Sequence, residues 1–221
     1  MKGLILKDIY NVRIQILLGM VLLVLIYVII WLSKFFNKED LGLIGVLDYG
    51  LINYLTITVC STFLLNTLSD DIKSGWAKLQ LTMPVSDKEI IGGKIIAEGI
   101  IIIALMLFSL FCNIFGIVIY ALPSELMIMM PVILALLQMA VLSAVTVIGY
   151  RIHGKVMAVY IAIMLMTAGI IAVPIIGFLN YEISVSALRL IFYAIISPLL
   201  LAVVILSFVF GKKAVRNIEG P

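Results

Sequence analysis

Residues 70–94 read DDIKSGWAKLQLTMPVSDKEIIGGK. The stretch is dense in charge, carries a tryptophan, and is held between two long apolar runs. Its surroundings decide what it is. The chain has 221 residues, of which 64% are hydrophobic and only 12% charged, with a mean hydropathy of +1.28. A soluble domain with a core and a charged surface has about twice that share of charge, so the composition is that of an integral membrane protein.

A bilayer core about 30 Å thick takes roughly 20 apolar residues per helix. Six runs of that size lie near Ile14 to Leu32, Tyr49 to Leu68, Ile95 to Leu122, Met127 to Gly149, Val156 to Leu179 and Ile191 to Phe210. Glu98 is the single formal charge inside them, near an end from which it is expected to reach headgroups or water. The first run is too long for the apolar part of a cleaved signal peptide, and no small-residue cleavage site follows it, so it is expected to remain as a helix. Of the 15 Lys and Arg residues, all but Lys34, Lys38 and Arg189 fall at the two termini and in the second and fourth loops. Basic residues mark the cytoplasmic side. Both termini and residues 70–94 are therefore expected in the cytoplasm of a multi-pass protein of the cell membrane. The net charge of +3 is too small to suggest nucleic acid as a partner.

No catalytic constellation is present in the sequence. HExxH, GxSxG and the phosphate-binding GxxxxGK[ST] are absent; Lys88 stands where the leading glycine of the last would be, and Ile95 follows Gly93 and Lys94. An intramembrane enzyme needs paired carboxylates or histidines facing a wet cavity, and only Glu98 and the outer-end Asp48 are on offer. No metal site is expected. Cys60 and Cys112 sit inside spans as small packing residues without a second ligand, and the lone His153 lies between Arg151 and Lys155 in the fourth loop.

Within the charged stretch, Ile72, Trp76, Leu79 and Met83 recur at helical spacing, with Lys73, Ser74, Lys78 and Gln80 off that stripe. Leu81 projects from the opposite side. Pro84 stops the helix, and Ser86 with Glu89 forms a capping box that opens the next one. Two readings fit: an amphipathic helix lying on the inner headgroups, or a docking helix that carries force from a cytoplasmic partner into spans two and three. At the N-terminus, Ile5, Leu6, Ile9 and Val12 gather opposite Lys7, Asp8 and Asn11, with Leu4 out of place. This fits either an interfacial helix before the first span or the start of that span.

The N-terminal MKGLILKDIY, six spans with both ends inside, and above all SGWAKLQLTMPVSDKEIIGGK resemble the permease subunits of ABC-2 type transporters. The resemblance covers nearly the whole chain, read as a single transmembrane domain, 1–221. It implies an all-α membrane protein of six transmembrane helices, with an N-terminal interfacial helix and a cytoplasmic coupling helix between spans two and three. It also implies a separate ABC ATP-binding subunit that carries ATP and Mg, with no cofactor in this chain, and a second permease, identical or related. Ser74, Gly75, Trp76, Leu79, Met83 and Pro84 would then lie at or near the ATP-binding subunit. The family includes exporters of amphipathic peptides.

Thr58, Thr62 and Asn66 place polar groups at steps of four on the second span, a face that would line a translocation path or a dimer interface, or bond back to its own helix. The absence of buried charge rings favours an apolar or amphipathic cargo over ions or sugars. Pro174 and Pro198 either kink the last two helices or bound short outer segments around residues 180–189, which would start the sixth span nearer Pro198. A passive peptide-binding, immunity or sensing protein of the membrane is the alternative; it needs no contact between Trp76 and an ATPase.

Overall fold

The computed structural model describes residues 2–37, 42–120, 124–152, 194 and 196–216. Among these the chain is all-helical: α1 (Lys2–Asn37), α2 (Gly42–Lys73), α3 (Trp76–Thr82), α4 (Asp87–Tyr120), α5 (Ser124–Ile152) and α6 (Ser197–Arg216). Four helices are long and apolar enough to cross a bilayer, over Lys2–Ile29, Gly50–Lys73, Asp87–Phe115 and Met127–Tyr150; the shorter apolar segment Ser197–Gly211 belongs to α6. The fifth apolar run of the sequence lies outside the described residues. α6 opens at Ser197 and places Pro198 in its first turn, where a missing N–H costs nothing.

Helix α4 touches α1, α2, α5 and α6, while α5 packs on α2, α4 and α6. The shared core is built from Ile57, Leu64 and Leu65 of α2, Ile91, Ile102 and Leu105 of α4, and Leu142 and Val145 of α5. Helix α1 borders chiefly α2 and α4, and only Asp8, Val12, Leu23 and Tyr27 of its described side chains are buried. Its exposed leucines and isoleucines from Ile14 to Leu32 are what lipid solvates.

A separate N-terminal interfacial helix is not seen. α1 runs unbroken for 36 residues, so residues 2–13 are the N-terminal end of the first span. The reason lies in their polar side. An interfacial helix turns charge to water, but here Asp8 is buried and Val12, one turn on, is buried on the same face. That face is drawn into the bundle by ion pairs to α2 and α4.

Toward the end away from α3 the bundle is closed by neutral hydrogen bonds. The Tyr27 hydroxyl donates to Asn53 Oδ1 at 2.8 Å and Asn113 Oδ1 at 2.9 Å in a three-centre bond, and Asn53 Nδ2 donates to Asn113 Oδ1 at 3.2 Å. Asn113 Nδ2 in turn donates to the Met127 carbonyl at 2.8 Å. That carbonyl is free because Pro131, four residues on, has no N–H to give it. A proline inside a membrane helix thus has its orphaned acceptor met by a neighbouring helix, as the hydrocarbon layer requires. Removing the donor with Asn113→Leu is expected to destabilise the protein by about 1–3 kcal/mol. Adding Pro131→Ala restores an N–H to Met127 and should recover roughly 1 kcal/mol of this, read as a thermal shift in mild detergent.

Candidate functional site

The charged stretch folds as a helix end, a tight turn and a short second helix. Ser74 N donates to the Asp70 carbonyl at 2.9 Å and Gly75 N to that of Ile72 at 3.3 Å, closing α2. Gly75 has φ 77°, the left-handed region that costs a residue with a Cβ free energy. Its carbonyl accepts from Leu79 N at 3.1 Å, so the glycine that ends α2 also starts α3. At the far end Met83 is extended, with φ −79° and ψ 156°, as the ring of Pro84 demands of the residue before it. The capping box is present: Glu89 Oε2 accepts from Ser86 N and Ser86 Oγ, both at 3.0 Å. Lys73 in the last turn of α2, and Asp87 and Glu89 in the first of α4, complement the helix dipoles.

The apolar stripe read from the sequence does not survive the turn. Ile72 belongs to α2, and the left-handed residue at 75 resets the helical phase. In α3, Ala77 and Gln80 are buried and Leu81 packs against the core, whereas Leu79 is 49% exposed. Leu81, anomalous on a single helix, is thereby accounted for. Ser74, Lys78, Leu79, Thr82 and Pro84 are exposed, with Gly75, Trp76 and Met83 between the extremes. The seat of α3 is incompletely satisfied: Trp76 Nε1 and Gln80 Oε1 are buried without a hydrogen-bond partner. Each such atom costs about 1–3 kcal/mol.

Beside Trp76 stands a group of charges that helical spacing does not reveal. Lys7 of α1 pairs with Asp71 Oδ1 of α2, and Lys94 of α4 donates to Asp71 Oδ2 at 2.9 Å and to Asp8 Oδ1 at 3.3 Å. The Lys94 side chain is 6% exposed. Lys7 Nζ also lies 4.9 Å from the centroid of the Trp76 ring, a cation–π contact. One turn further along α4, Glu98 is buried and does not reach headgroups or water, because its face of α4 packs on α5. Thr146 Oγ1 donates to its Oε1 at 2.6 Å, while Oε2 has no partner. The sequence reading counted Lys94 among the loop's basic residues. The signal that could have moved it inward is its setting, Ile-Ile-Gly-Gly-Lys-Ile-Ile, apolar on both sides.

The three polar residues of the second span are not brought together around one cavity. Thr58 Oγ1 accepts from Gln138 Nε2 of α5 at 3.0 Å, Thr62 bonds back to the Val59 carbonyl, and Asn66 is exposed. Cys60 and Cys112 are free and buried. His153 lies outside the described residues. Among the described residues no group of three or more His, Cys, Asp or Glu could hold a metal.

A family profile described as ABC-2 family transporter protein matches residues 3–214. The chain belongs to that family. No curated protein and no solved structure matches it at a significant level. Family membership makes this chain a multi-pass membrane permease subunit of an ABC transporter, the partner of an ABC ATP-binding subunit. In an ABC-2 permease the turn at Gly75 fixes where α3 points. With no atom near a built Cβ, Gly75→Ala is strained by its backbone alone and should cost about 1–2 kcal/mol. Gly75→Asn should cost less, because Asn tolerates the left-handed region; thermal unfolding of the two variants side by side checks the order.

Proposed function

We propose that the chain is the membrane subunit of an ATP-driven exporter and that α3 is its coupling helix, seating in the separate ATP-binding subunit. The observation that carries this reading is the two-sidedness of α3. Ala77, Gln80 and Leu81 face the bundle, while Lys78, Leu79 and Thr82 face outward from a helix pinned between Gly75 and Pro84. A helix resting only on headgroups needs one apolar face; this one has an apolar seat in the protein and still presents Leu79 to whatever lies beyond. It is also tied directly to the inner ends of α2 and α4, which is where a push has to enter the spans. The contact set is Leu79 with Ser74, Met83 and Pro84 around it, and Gly75 and Trp76 set its angle.

The assembly is two permeases, identical or related, with two ATP-binding subunits that supply ATP and Mg; this chain contributes no catalytic residue. Both termini lie in the cytoplasm of a cell-membrane protein. The cargo is amphipathic or hydrophobic, a peptide being the fitting class. In support, Tyr27, Asn53 and Asn113, buried toward the end away from α3, are neutral and paired with each other. Thr58, Thr62 and Asn66 lie on a half-exposed face of α2, which suits a contact with the second permease or the edge of a path between the two.

Tagged protein purified gently from its native membrane is expected to bring an ATP-binding subunit with it. Leu79→Asp, at an exposed position, should reduce that recovery at least about tenfold, the loss expected for a charge forced into a docked apolar contact, without lowering the thermal stability of the permease. If no ATP-binding protein appears in several mild detergents, a passive peptide-binding, immunity or sensing role replaces the transporter reading.

A further inference from the structure

We propose that Lys7 and Asp8 of α1, Asp71 of α2 and Lys94 of α4 form a joint that locks the N-terminal turns of α1 to α3. Displacement of α3 is then delivered to α1 as well as to the two helices it is covalently joined to. The inference rests on the coupling role of α3 given above and adds to it a third receiver.

Helix α3 is tied by the chain to α2 and α4 alone. Between α2 and α3 stands the turn at Gly75, a natural hinge. Lys7 bridges that hinge: its ammonium contacts Asp71 before the turn and the Trp76 ring after it. A cation supplied by α1 thus acts as a strut across the bend between the other two elements. Asp71 is the shared member, one oxygen taken by Lys7 and the other by Lys94. Lys94 then returns to α1 through Asp8 at 3.3 Å, and Lys7 lies 3.9 Å from the same carboxylate. The circuit closes on itself through three long helices.

Two lysines and two aspartates make the group neutral as a whole, and neutral only as a whole. Loss of one member leaves an uncompensated charge where water is scarce, which is the expensive way to break a buried ion pair. The circuit therefore moves as a body or comes apart; it does not stretch gradually. Trp76 Nε1 and Gln80 Oε1 make no hydrogen bonds, so the contact with Lys7 is the polar attachment of the Trp76 side chain to α1. Lys7 and Asp8 are positioning residues: they act through Asp71 and Trp76.

The test uses two nitroxide labels, at Lys2→Cys on α1 and Lys78→Cys on α3, both exposed positions, in a Cys60→Ala, Cys112→Ala background. Pulsed EPR on the purified chain is expected to give one narrow distance distribution. Lys7→Met and Asp71→Asn should broaden it roughly twofold or more, the response of a circuit left with an unpaired charge. Lys73→Met, an exposed basic residue of the same loop, should leave it unchanged. Lys7 is the more exposed member of its pair with Asp71, so its variant decides the matter if Asp71→Asn fails to fold. Equal widths in parent and Lys7→Met overturn the joint.

With the ATP-binding subunit bound, the parent distance should be the same in nucleotide-free and ATP-trapped states. A shift of about 5 Å, one helical turn, would mean that α3 moves independently of α1 and overturns the joint while leaving the docking reading intact. Absence of the ATP-binding subunit counts against the docking reading alone, and the widths measured on the permease by itself then decide the joint.

Discussion

Lys94 stands in the interior of the bundle because Asp71 and Asp8 meet it there. A lone ammonium at that position would not be tolerated, and two carboxylates without it would repel. The half of the structure that carries α3 is arranged around this mutual dependence. It ties α1 to α4 and α2 to α4, and leaves Asp71 placed to take Lys7, whose ammonium then rests on Trp76. Toward the other end the same problem is solved without charge. Tyr27, Asn53 and Asn113 pair with each other and with a carbonyl that Pro131 leaves open. The bundle is thus ionic at one end and amide-bonded at the other. In both places the bonds run between helices, because lipid supplies no alternative partner.

The separation has a mechanical meaning. Hydrogen bonds among neutral groups hold whatever the ionic strength, whereas the ionic circuit has one partly exposed member, Lys7, through which a charged partner can reach it. The two unpaired polar atoms under α3 lie at the same end, beside the ionic circuit. The region that an ATP-binding subunit would touch thus holds two of the unpaired buried polar atoms among the described residues.

Much of this was legible in the sequence, and the misses share a cause. Span lengths and the family resemblance follow from apolar run length and from a motif, which are local. The capping box at Ser86 and Glu89 and the stop at Pro84 are local too, and they appear as read. The stripe through Ile72, Trp76, Leu79 and Met83 failed because it assumed one helical phase across Gly75, and a single left-handed residue changes which side faces the protein. Lys7 and Asp8 read as the polar side of the N-terminal segment; only the meeting of three helices turns Asp8 inward, with Asp71. Glu98 was misread for the same reason, its partner Thr146 being 48 residues away along the chain. Pro131 passed unnoticed because its meaning lies in Asn113, on another helix.

The unbroken length of α1 gives lipid a part in the mechanism. A helix of 36 residues is about 54 Å long, in a hydrocarbon layer about 30 Å thick. The surplus is taken up by tilt and by projection from the membrane, and how it is divided depends on the thickness of the bilayer around it. Because Lys7 and Asp8 lie in the N-terminal end of this helix, a change in tilt moves the charges that meet Asp71 and Lys94. Given the joint proposed above, acyl-chain length, a property of the host membrane and not of the protein, would become a setting of the resting position of α3.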